Sequence, residues 1–204
     1  PVAANVGYFS IVNQGSEFSF YVPDSLENSG TGSNYGLEVT LEKFFDRNLY
    51  YLLTTSVYES LYTGADGIER HSANDVGYVI NALAGYEWWM GTNRDKAVLL
   101  DLKAARSGGK RYIPVDLTAS IAAGQEVLNF DRAYSEQFDA FSKIDIKLSY
   151  RVNKKSATHF AFVAIDNVLN TQNMLIINYN ADTEKIDKTY QLGLFPYLGY
   201  RVEF

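Results

Sequence analysis

Alternation of apolar and polar residues with a period of two recurs along the whole chain, and this pattern most limits the folds available to it. The segments GLEVTLEKF (36–44) and KIDIKLSYRV (143–152) are clear examples. Helical spacing of apolar residues is not sustained in any segment. Because successive side chains of a strand point to opposite faces, the pattern predicts amphipathic β-strands throughout.

The alternation predicts an all-β, antiparallel fold with seven strands. Their approximate bounds are 35–44, 49–62, 76–89, 96–112, 141–152, 157–168 and 190–204. A weaker eighth strand is predicted at EFSFYV (17–22). These strands are longer than the five or six residues or so that are usual in soluble sheets.

The connections between these strands alternate between short and long. Short turns are predicted at 45–49, 90–95 and 153–156, and long loops at 63–75, 113–140 and 169–189. In an up-and-down sheet, alternate connections lie at opposite ends, so one end would carry tight turns and the other long loops. This asymmetry is typical of transmembrane β-barrels of the outer membrane, whose short turns are periplasmic and whose long loops are extracellular.

Aromatic residues make up 15% of the chain, with sixteen Tyr, and they collect near both ends of the predicted strands. Those at the turn end are Phe44, Phe45, Tyr50, Tyr51, Trp88, Trp89, Tyr150 and Phe204, and those toward the loop end are Tyr35, Tyr58, Tyr62, Tyr78, Tyr112, Tyr190 and Tyr197. Two aromatic girdles around an apolar band favour a barrel in a bilayer. A soluble β-sandwich or lipocalin-like barrel is the alternative, because alternation alone does not say which face is inside.

Composition and motifs exclude several classes of function. The net charge of −6 argues against a nucleic-acid partner, and the absence of Cys excludes disulfides and thiolate metal sites. The chain contains no run of eighteen apolar residues, so no transmembrane helix is predicted. No GxSxG, HExxH or convincing carboxylate pair is present, so we do not expect an enzyme.

Several segments resemble the C-terminal end of TonB-dependent outer-membrane receptors. They include NYGLEVTLEKFF, YYLLTTSVYESLYTGADGIERHS, GGKRYIPVDLTASIAAGQEV, the stretch from RAYSEQ to IDNVLNTQN, and the closing YQLGLFPYLGYRVEF. The likeness is greatest to Bacteroidetes-type receptors that carry a carboxypeptidase-regulatory-like domain, and it covers the chain from about Phe9 onward.

The resemblance implies a bacterial outer-membrane location and energy-coupled uptake of a large nutrient through a barrel of 22 strands closed around a plug. Nothing in this sequence resembles a plug or a segment that engages TonB. We therefore expect a segment of a longer chain, with an extracellular-loop-like stretch at 1–34 and barrel strands at 35–204. The implied partners are outer-membrane lipid, the remaining strands and plug of the same receptor, the TonB system and a surface lipoprotein. The resemblance implies no single substrate.

Three groups of residues are candidates for function. Substrate-contact candidates in the long loops are Arg106, Lys110, Arg111, Tyr112, Tyr179 and Asp182. The resemblance implies that the alternation of Leu198, Tyr200, Val202 and Phe204 is read as a signal by the barrel-assembly machinery. Charged residues expected to face the lumen, as mixed-sign ladders or as a substrate path, are Glu38, Glu42, Asp101, Lys103, Lys143, Asp145, Lys147, Arg151, Arg201 and Glu203.

No cofactor is expected, with one alternative. Asn178, Asn180, Asp182 and Glu184, in the loop at 178–189, begin like a calcium loop. Thr183 and Thr189 stand where such a loop needs its glycine and its bidentate glutamate.

Two other function classes remain open from the residues. One is a structural outer-membrane barrel that serves as a platform for surface lipoproteins or secretion components. The other is a soluble β-domain that binds a small apolar ligand. A need for detergent during extraction would separate the second class from the membrane proteins.

Overall fold

The computed structural model describes residues 2–3, 6–16 and 22–204. Within these residues the protein consists of strands with one α-helix, so the predicted all-β, antiparallel class is confirmed. The strands are β1 (Val2–Ala3), β2 (Leu26–Glu27), β3 (Thr31–Asp46), β4 (Leu49–Thr63), β5 (Glu69–His71), β6 (Tyr78–Met90), β7 (Lys96–Ser107), β8 (Arg111–Tyr112), β9 (Glu136–Gln137), β10 (Phe141–Asn153), β11 (Thr158–Asp166), β12 (Met174–Asn180), β13 (Lys185–Tyr190) and β14 (Phe195–Glu203). The helix α1 spans Leu117–Ala123, and 3-10 helices span Ile11–Asn13 and Phe130–Arg132.

Seven long strands form one antiparallel sheet in the order β3, β4, β6, β7, β10, β11 and β14, and β5 pairs with the loop end of β4. Each long strand lies beside the long strands that precede and follow it in the chain, which is an up-and-down arrangement. The edge strands β3 and β14 are not paired with each other within the described part of the chain, so this sheet is open. All seven predicted strands are present in this sheet.

Two predicted strands are shorter than expected. The strand predicted at 190–204 is β14, which begins at Phe195, and Tyr190 belongs to β13. The strand predicted at 96–112 is β7, which ends at Ser107. Gly108 and Gly109 follow, and a Cβ at either position would lie 1.9 Å from a backbone oxygen, of Val76 and Phe138 respectively. The two glycines allow neighbouring loops to approach this closely, and the chain leaves the sheet there.

Two of the predicted long loops contain secondary structure that the alternation did not predict. The loop at 169–189 holds the hairpin β12–β13, and the loop at 113–140 holds α1. Asp116 caps this helix, because its Oδ1 accepts a hydrogen bond of 2.9 Å from the amide of Ala119. The weak strand predicted at 17–22 lies, except for Val22, outside the described residues.

The main sheet has one apolar and one polar face, fixed by its register. In a central row of the apolar face, Ala84, Leu102, Ile146 and Ile165 are neighbours on β6, β7, β10 and β11. Many apolar-face side chains are exposed, from 37% for Tyr86 to 80% for Leu198. The polar face is the more buried one, because Glu87, Ala97, Ser149 and Ala164 on that face are at most 6% exposed.

The main hydrophobic cluster lies among the connections at one end of the sheet. It consists of Tyr62, Ala73, Ile113, Ala133 and Tyr134. Four of these residues belong to the long loops, and Tyr62 stands at the loop end of β4. We call segments 6–16, 64–77 and 108–140 together the loop cap.

Within the described residues, no helix is both long enough and apolar enough to cross a membrane. The strands β3 and β4 are the longest elements, with 16 and 15 residues. The long strands and the loop cap position the candidate functional side chains.

Candidate functional site

The loop cap is held together by contacts between residues that are far apart in the sequence. The hydroxyl of Tyr62 donates a hydrogen bond of 2.8 Å to the carbonyl of Tyr8, and its ring meets that of Tyr134 edge to face. The side-chain oxygen of Asn13 accepts a hydrogen bond of 2.8 Å from the amide of Ala73. These contacts connect the N-terminal segment to the loops that follow β4 and β7.

Arg111 connects three parts of the loop cap. Its Nε donates a hydrogen bond of 3.0 Å to the carbonyl of Asp75 and lies 3.7 Å from the carboxylate of the same residue. One terminal nitrogen reaches the carbonyl of Tyr134 at 3.5 Å. The carboxylate of Asp75, only 2% exposed, also contacts Nδ1 of His71 at 2.5 Å. A residue predicted to contact substrate therefore uses its guanidinium inside the protein.

A second ion pair fixes the turn between β4 and β5. The guanidinium of Arg70 donates hydrogen bonds of 3.0 and 2.8 Å to the two carboxylate oxygens of Asp66. Its hydrogen bonding holds the pKa of the Asp66 carboxyl below its usual range. A lowered pKa means that the pair stabilises the folded cap at neutral pH and that this contribution is lost as the pH falls through the lowered value.

A groove lies between the loop cap and β12, and we call it the loop groove. Its volume is about 220 Å³. Its lining residues are Lys110, Arg111, Tyr112, Ile113, Val115, Glu126, Leu128, Phe138, Leu175, Ile176, Ile177 and Asn178. Most of the walls are aliphatic or aromatic, so the groove could take an apolar group from a ligand.

Two contacts define the walls of the loop groove. The rings of Tyr112 and Phe138 are stacked, with centroids 4.3 Å apart and planes at 13°. Burial raises the pKa of the Tyr112 hydroxyl, which stays protonated at neutral pH. On the other side, the amide of Tyr179 donates a hydrogen bond of 2.8 Å to Oε2 of Glu126. The second contact ties β12 to the loop that follows α1.

The structure brings together part of the predicted substrate-contact set. Lys110, Arg111 and Tyr112 line the loop groove, and Tyr179 lies at one end of it. Arg106 is on the apolar face of β7, where its register neighbours are Ile80 and Ser142. The remaining candidate, Asp182, is exposed in the turn of the β12–β13 hairpin.

The segment considered as a calcium loop is occupied by hairpin contacts. The side-chain oxygen of Asn180 accepts hydrogen bonds from the amides of Asp182 and Thr183, and its Nδ2 donates to Asp187. Over the described ranges, there is no group of three His, Cys, Asp or Glu residues placed to hold a metal ion. We therefore name no metal ligand.

The polar face carries part of the mixed-sign ladder that the alternation predicts. The ring of Tyr50 lies over Gly85, and a Cβ added to this glycine would be only 2.2 Å from the ring. The hydroxyl of Tyr50 donates a hydrogen bond of 2.6 Å to Asp101. The ammonium of Lys143 lies between Asp145 and Asp166, at 3.2 and 3.1 Å. These polar contacts connect β4 to β7 across β6, and β10 to β11.

Near the turn end of the polar face, one cation lies between aromatic rings. Arg151 pairs with Glu87, which is 4% exposed. Its guanidinium carbon is 4.6 Å from the ring centre of Trp89 and 5.8 Å from that of Phe160. Arg201 approaches the same Phe160 ring at 4.7 Å, so cation–π contacts join β6, β10, β11 and β14.

The register corrects the composition of the predicted aromatic girdles. Tyr51, Trp88 and Tyr150 are on the apolar face at its turn end, as a girdle requires. Tyr50 and Trp89 are instead on the polar face, where they contact charged side chains. In the predicted loop-end girdle, Tyr58, Tyr62 and Tyr197 also have polar-face register, and Tyr112 and Tyr190 lie outside the main sheet. Adjacent aromatic residues in a strand point to opposite faces, so YY and WW pairs contribute only one ring each to a girdle.

The predicted assembly-signal residues share one side of the last strand. Leu198 and Tyr200 are 80% and 65% exposed on the apolar face of β14, and Phe204 follows with its side chain fully exposed. Val202 is their less exposed neighbour, opposite His159. The hydroxyl of Tyr200 contacts Nδ1 of His159 at 2.6 Å.

Two buried asparagines have architectural roles that the alternation did not indicate. Asn167, 1% exposed, exchanges hydrogen bonds with the backbone of Thr171, and its own amide donates to Asp145. The side chain of Asn173 bonds both the amide and the carbonyl of Ser142. Asparagines within a loop between strands were the available signal, because Asn side chains substitute for backbone partners in turns.

Comparisons with protein-family models, curated proteins and solved structures gave no match.

Proposed function

We propose that this chain forms part of the wall and the outer loops of a bacterial outer-membrane β-barrel receptor. The observation that carries the proposal is the exposed apolar face of the sheet, which crosses all seven long strands as an oblique band. In a membrane barrel this face would lie against lipid, and the polar face would line the lumen. The more buried state of the polar face supports this orientation.

The centre of the apolar band moves steadily from strand to strand. On β3 the band is centred at Val39, and the register through Thr55 and Ile80 places Val39 in the row of Arg106. On β14 it is centred between Leu198 and Tyr200, at the level of Leu99 on β7. The centre has therefore moved from position 106 to position 99 of β7 over six strand steps.

This displacement corresponds to strands tilted with respect to the band. With about 3.3 Å per residue along a strand and about 4.8 Å between strands, seven residues over six steps give a tilt of about 39°. Strands of transmembrane barrels are tilted by about 35–45°. An oblique apolar band is expected when the strands are inclined to the bilayer normal. In a soluble β-sandwich, where a second sheet covers the apolar face, the band would not have to be oblique.

On β7 the band is bounded by a cation at each end. Val98, Leu100, Leu102 and Ala104 form its apolar part, and Lys96 and Arg106 flank them on the same face. Ten residues at about 3.3 Å and a tilt of about 39° separate the two cations by about 26 Å along the normal. This distance is close to the apolar band of about 25 Å in outer-membrane barrels.

The open edges of the sheet support the view that this wall belongs to a larger barrel. Unpaired backbone groups each cost several kcal/mol in hydrocarbon, so β3 and β14 need further strands beside them. One side of β3 is filled by β4 over its whole length.

The resemblance of the sequence to TonB-dependent receptors gives the activity that we propose for the parent molecule. It would import a large nutrient with energy delivered by TonB, and the chain described here would contribute wall and extracellular loops. The plug, the coupling segment and the remaining strands would be supplied by the rest of the receptor. In this arrangement the loop cap and loop groove face the external medium.

Cysteine labelling tests the orientation directly, because the chain has no Cys of its own. In intact cells, we expect a membrane-impermeant maleimide to label Asp182→Cys in the hairpin turn. We expect Lys154→Cys, in the turn between β10 and β11, to react only after the outer membrane is permeabilised. Both side chains are exposed, so accessibility in the folded protein does not differ between them. Labelling of Lys154→Cys alone in intact cells would reverse the proposed orientation.

A second test concerns the open edges. Residues 1–204 exported alone should not yield a compact monomeric barrel, because β3 and β14 would remain unpaired in the bilayer. The measurement is the shift in gel mobility on heating that folded outer-membrane barrels give, with the full polypeptide as the control. A heat-modifiable monomer from residues 1–204 would mean that the chain closes on itself.

A further inference from the structure

The loop groove combines apolar walls with one edge of a β-strand. β13 pairs with one edge of β12, and the amide of Tyr179 points from the other edge to Glu126. In an antiparallel pair, alternate residues direct their backbone groups to the same side. Ile177, two residues before Tyr179, therefore directs its amide and carbonyl toward the loop groove, of which it is a lining residue.

We propose that the loop groove binds an extended cationic peptide segment, which adds as a strand to the outer edge of β12. Backbone groups along a strand edge give affinity for a peptide main chain, and a pocket beside the edge receives an alternate side chain. The proposal relies on the proposed function only for the exposure of the groove to the medium.

The size of the loop groove favours a peptide side chain over a whole small molecule. Pockets for drug-sized ligands measure about 300–1,000 Å³, whereas this groove measures about 220 Å³. Its walls of Tyr112, Phe138, Leu128 and Val115 suit one aliphatic or aromatic anchor.

Charge complementarity favours a cationic segment. The loops at 64–77, 108–140 and 167–194 contain eleven Asp or Glu and six Lys or Arg. Two cations, Lys110 and Arg111, and one carboxylate, Glu126, line the groove itself. The guanidinium of Arg111 is bonded to Asp75 and to the carbonyl of Tyr134. Glu126 is exposed beside the edge of β12, and only its Oε2 is used by Tyr179. A Lys or Arg next to the apolar anchor would meet this carboxylate.

The test is a fluorescence-anisotropy titration of the full polypeptide, purified in detergent, with a labelled acetyl-Lys-Val-Leu-Val-Lys-amide. We expect saturable binding that weakens about tenfold or more when the central amides of the peptide are N-methylated, since methylation removes main-chain donors. An N-methylated peptide that binds equally well would overturn strand addition. This comparison needs no change in the protein.

Two protein variants locate the binding. Val115→Trp should fill the groove and weaken binding about tenfold or more, whereas Ile121→Trp, on the exposed side of α1, should leave it unchanged. Glu126→Gln keeps a side-chain oxygen that can accept the hydrogen bond from the amide of Tyr179. This variant should bind the Lys peptide more weakly and should bind an analogue with norleucine in place of lysine as tightly as the native protein does. If Val115→Trp bound the peptide as tightly as the native protein does, the peptide would bind elsewhere. If Glu126→Gln left the affinity for the Lys peptide unchanged, Glu126 would not recognise the cation of the peptide. Labelling from the wrong side in the cysteine experiment, with peptide binding intact, would refute the orientation and leave this site standing.

Discussion

Leu102→Arg should strongly reduce the amount of folded protein in the outer membrane. Leu102 is near the centre of the apolar band on β7 and is 42% exposed. An arginine there would face hydrocarbon near the midplane, at a cost of about 2–4 kcal/mol. The measurements are the yield of heat-modifiable protein in cells and the free energy of unfolding in lipid vesicles.

Leu83→Arg is the matched control. Leu83 is 37% exposed, lies on the neighbouring strand β6 and belongs to the polar face, where its register neighbour is Lys103. Its arginine would enter an aqueous, charged lumen and should cost less than about 1 kcal/mol. In a soluble sheet, two leucines of such similar exposure would tolerate arginine about equally, within about 0.5 kcal/mol. Equal losses for the two variants would therefore contradict the membrane assignment.

Arg111→Met should loosen the loop cap. The substitution keeps an apolar stem but removes the guanidinium beside the buried carboxylate of Asp75, which keeps its contact with Nδ1 of His71. Removing one partner of a buried pair costs about 3 kcal/mol. Hydrogen exchange at the amides of Ser72, Asp75 and Ser135 should therefore accelerate by roughly a hundredfold. The amides of Asp75 and Ser135 are hydrogen-bonded within the loops that Arg111 joins, and that of Ser72 is bonded to Ser60 of β4.

Arg132→Met is the control for that experiment. Arg132 pairs with Glu136, but both side chains are largely exposed. An exposed ion pair is worth about 0–1 kcal/mol, so exchange in the cap should change little. If Arg111→Met left the same three amides as protected as in the native protein, Arg111 would not be the residue that holds the cap together. The guanidinium would then be available to a ligand, in agreement with the prediction that Arg111 contacts substrate.

The strands could be predicted because alternation is a local signal. In KIDIKLSYRV, side-chain chemistry changes at each step, and β10 follows the segment almost residue for residue. The double glycine at 108–109 was visible in the sequence, but its meaning depended on Val76 and Phe138, which approach it from other loops. Strand ends are set by such tertiary contacts, and local alternation contains no information about them.

The candidate site was predictable only in part. Tyr and charge in the loops led to Lys110, Arg111 and Tyr112, which line the loop groove. Neither Glu126 nor the hairpin β12–β13 was predicted, because MLIINYN lacks alternation. The internal role of Arg111 depends on Asp75, 36 positions earlier. Long-range pairing of this kind cannot be derived from the pattern of a single segment.

With the proposed membrane orientation, the contacts of the loop cap would also set the order of the steps of biogenesis. Tyr8 meets Tyr62, and Asn13 meets Ala73, across 54 and 60 positions of sequence. With the proposed orientation, these segments must cross the outer membrane before they can meet, so the cap forms after its flanking strands have inserted. A packed cap is too bulky to pass back between those strands. Formation of the cap on the extracellular side would make insertion hard to reverse, so the cap would keep the inserted strands in the membrane.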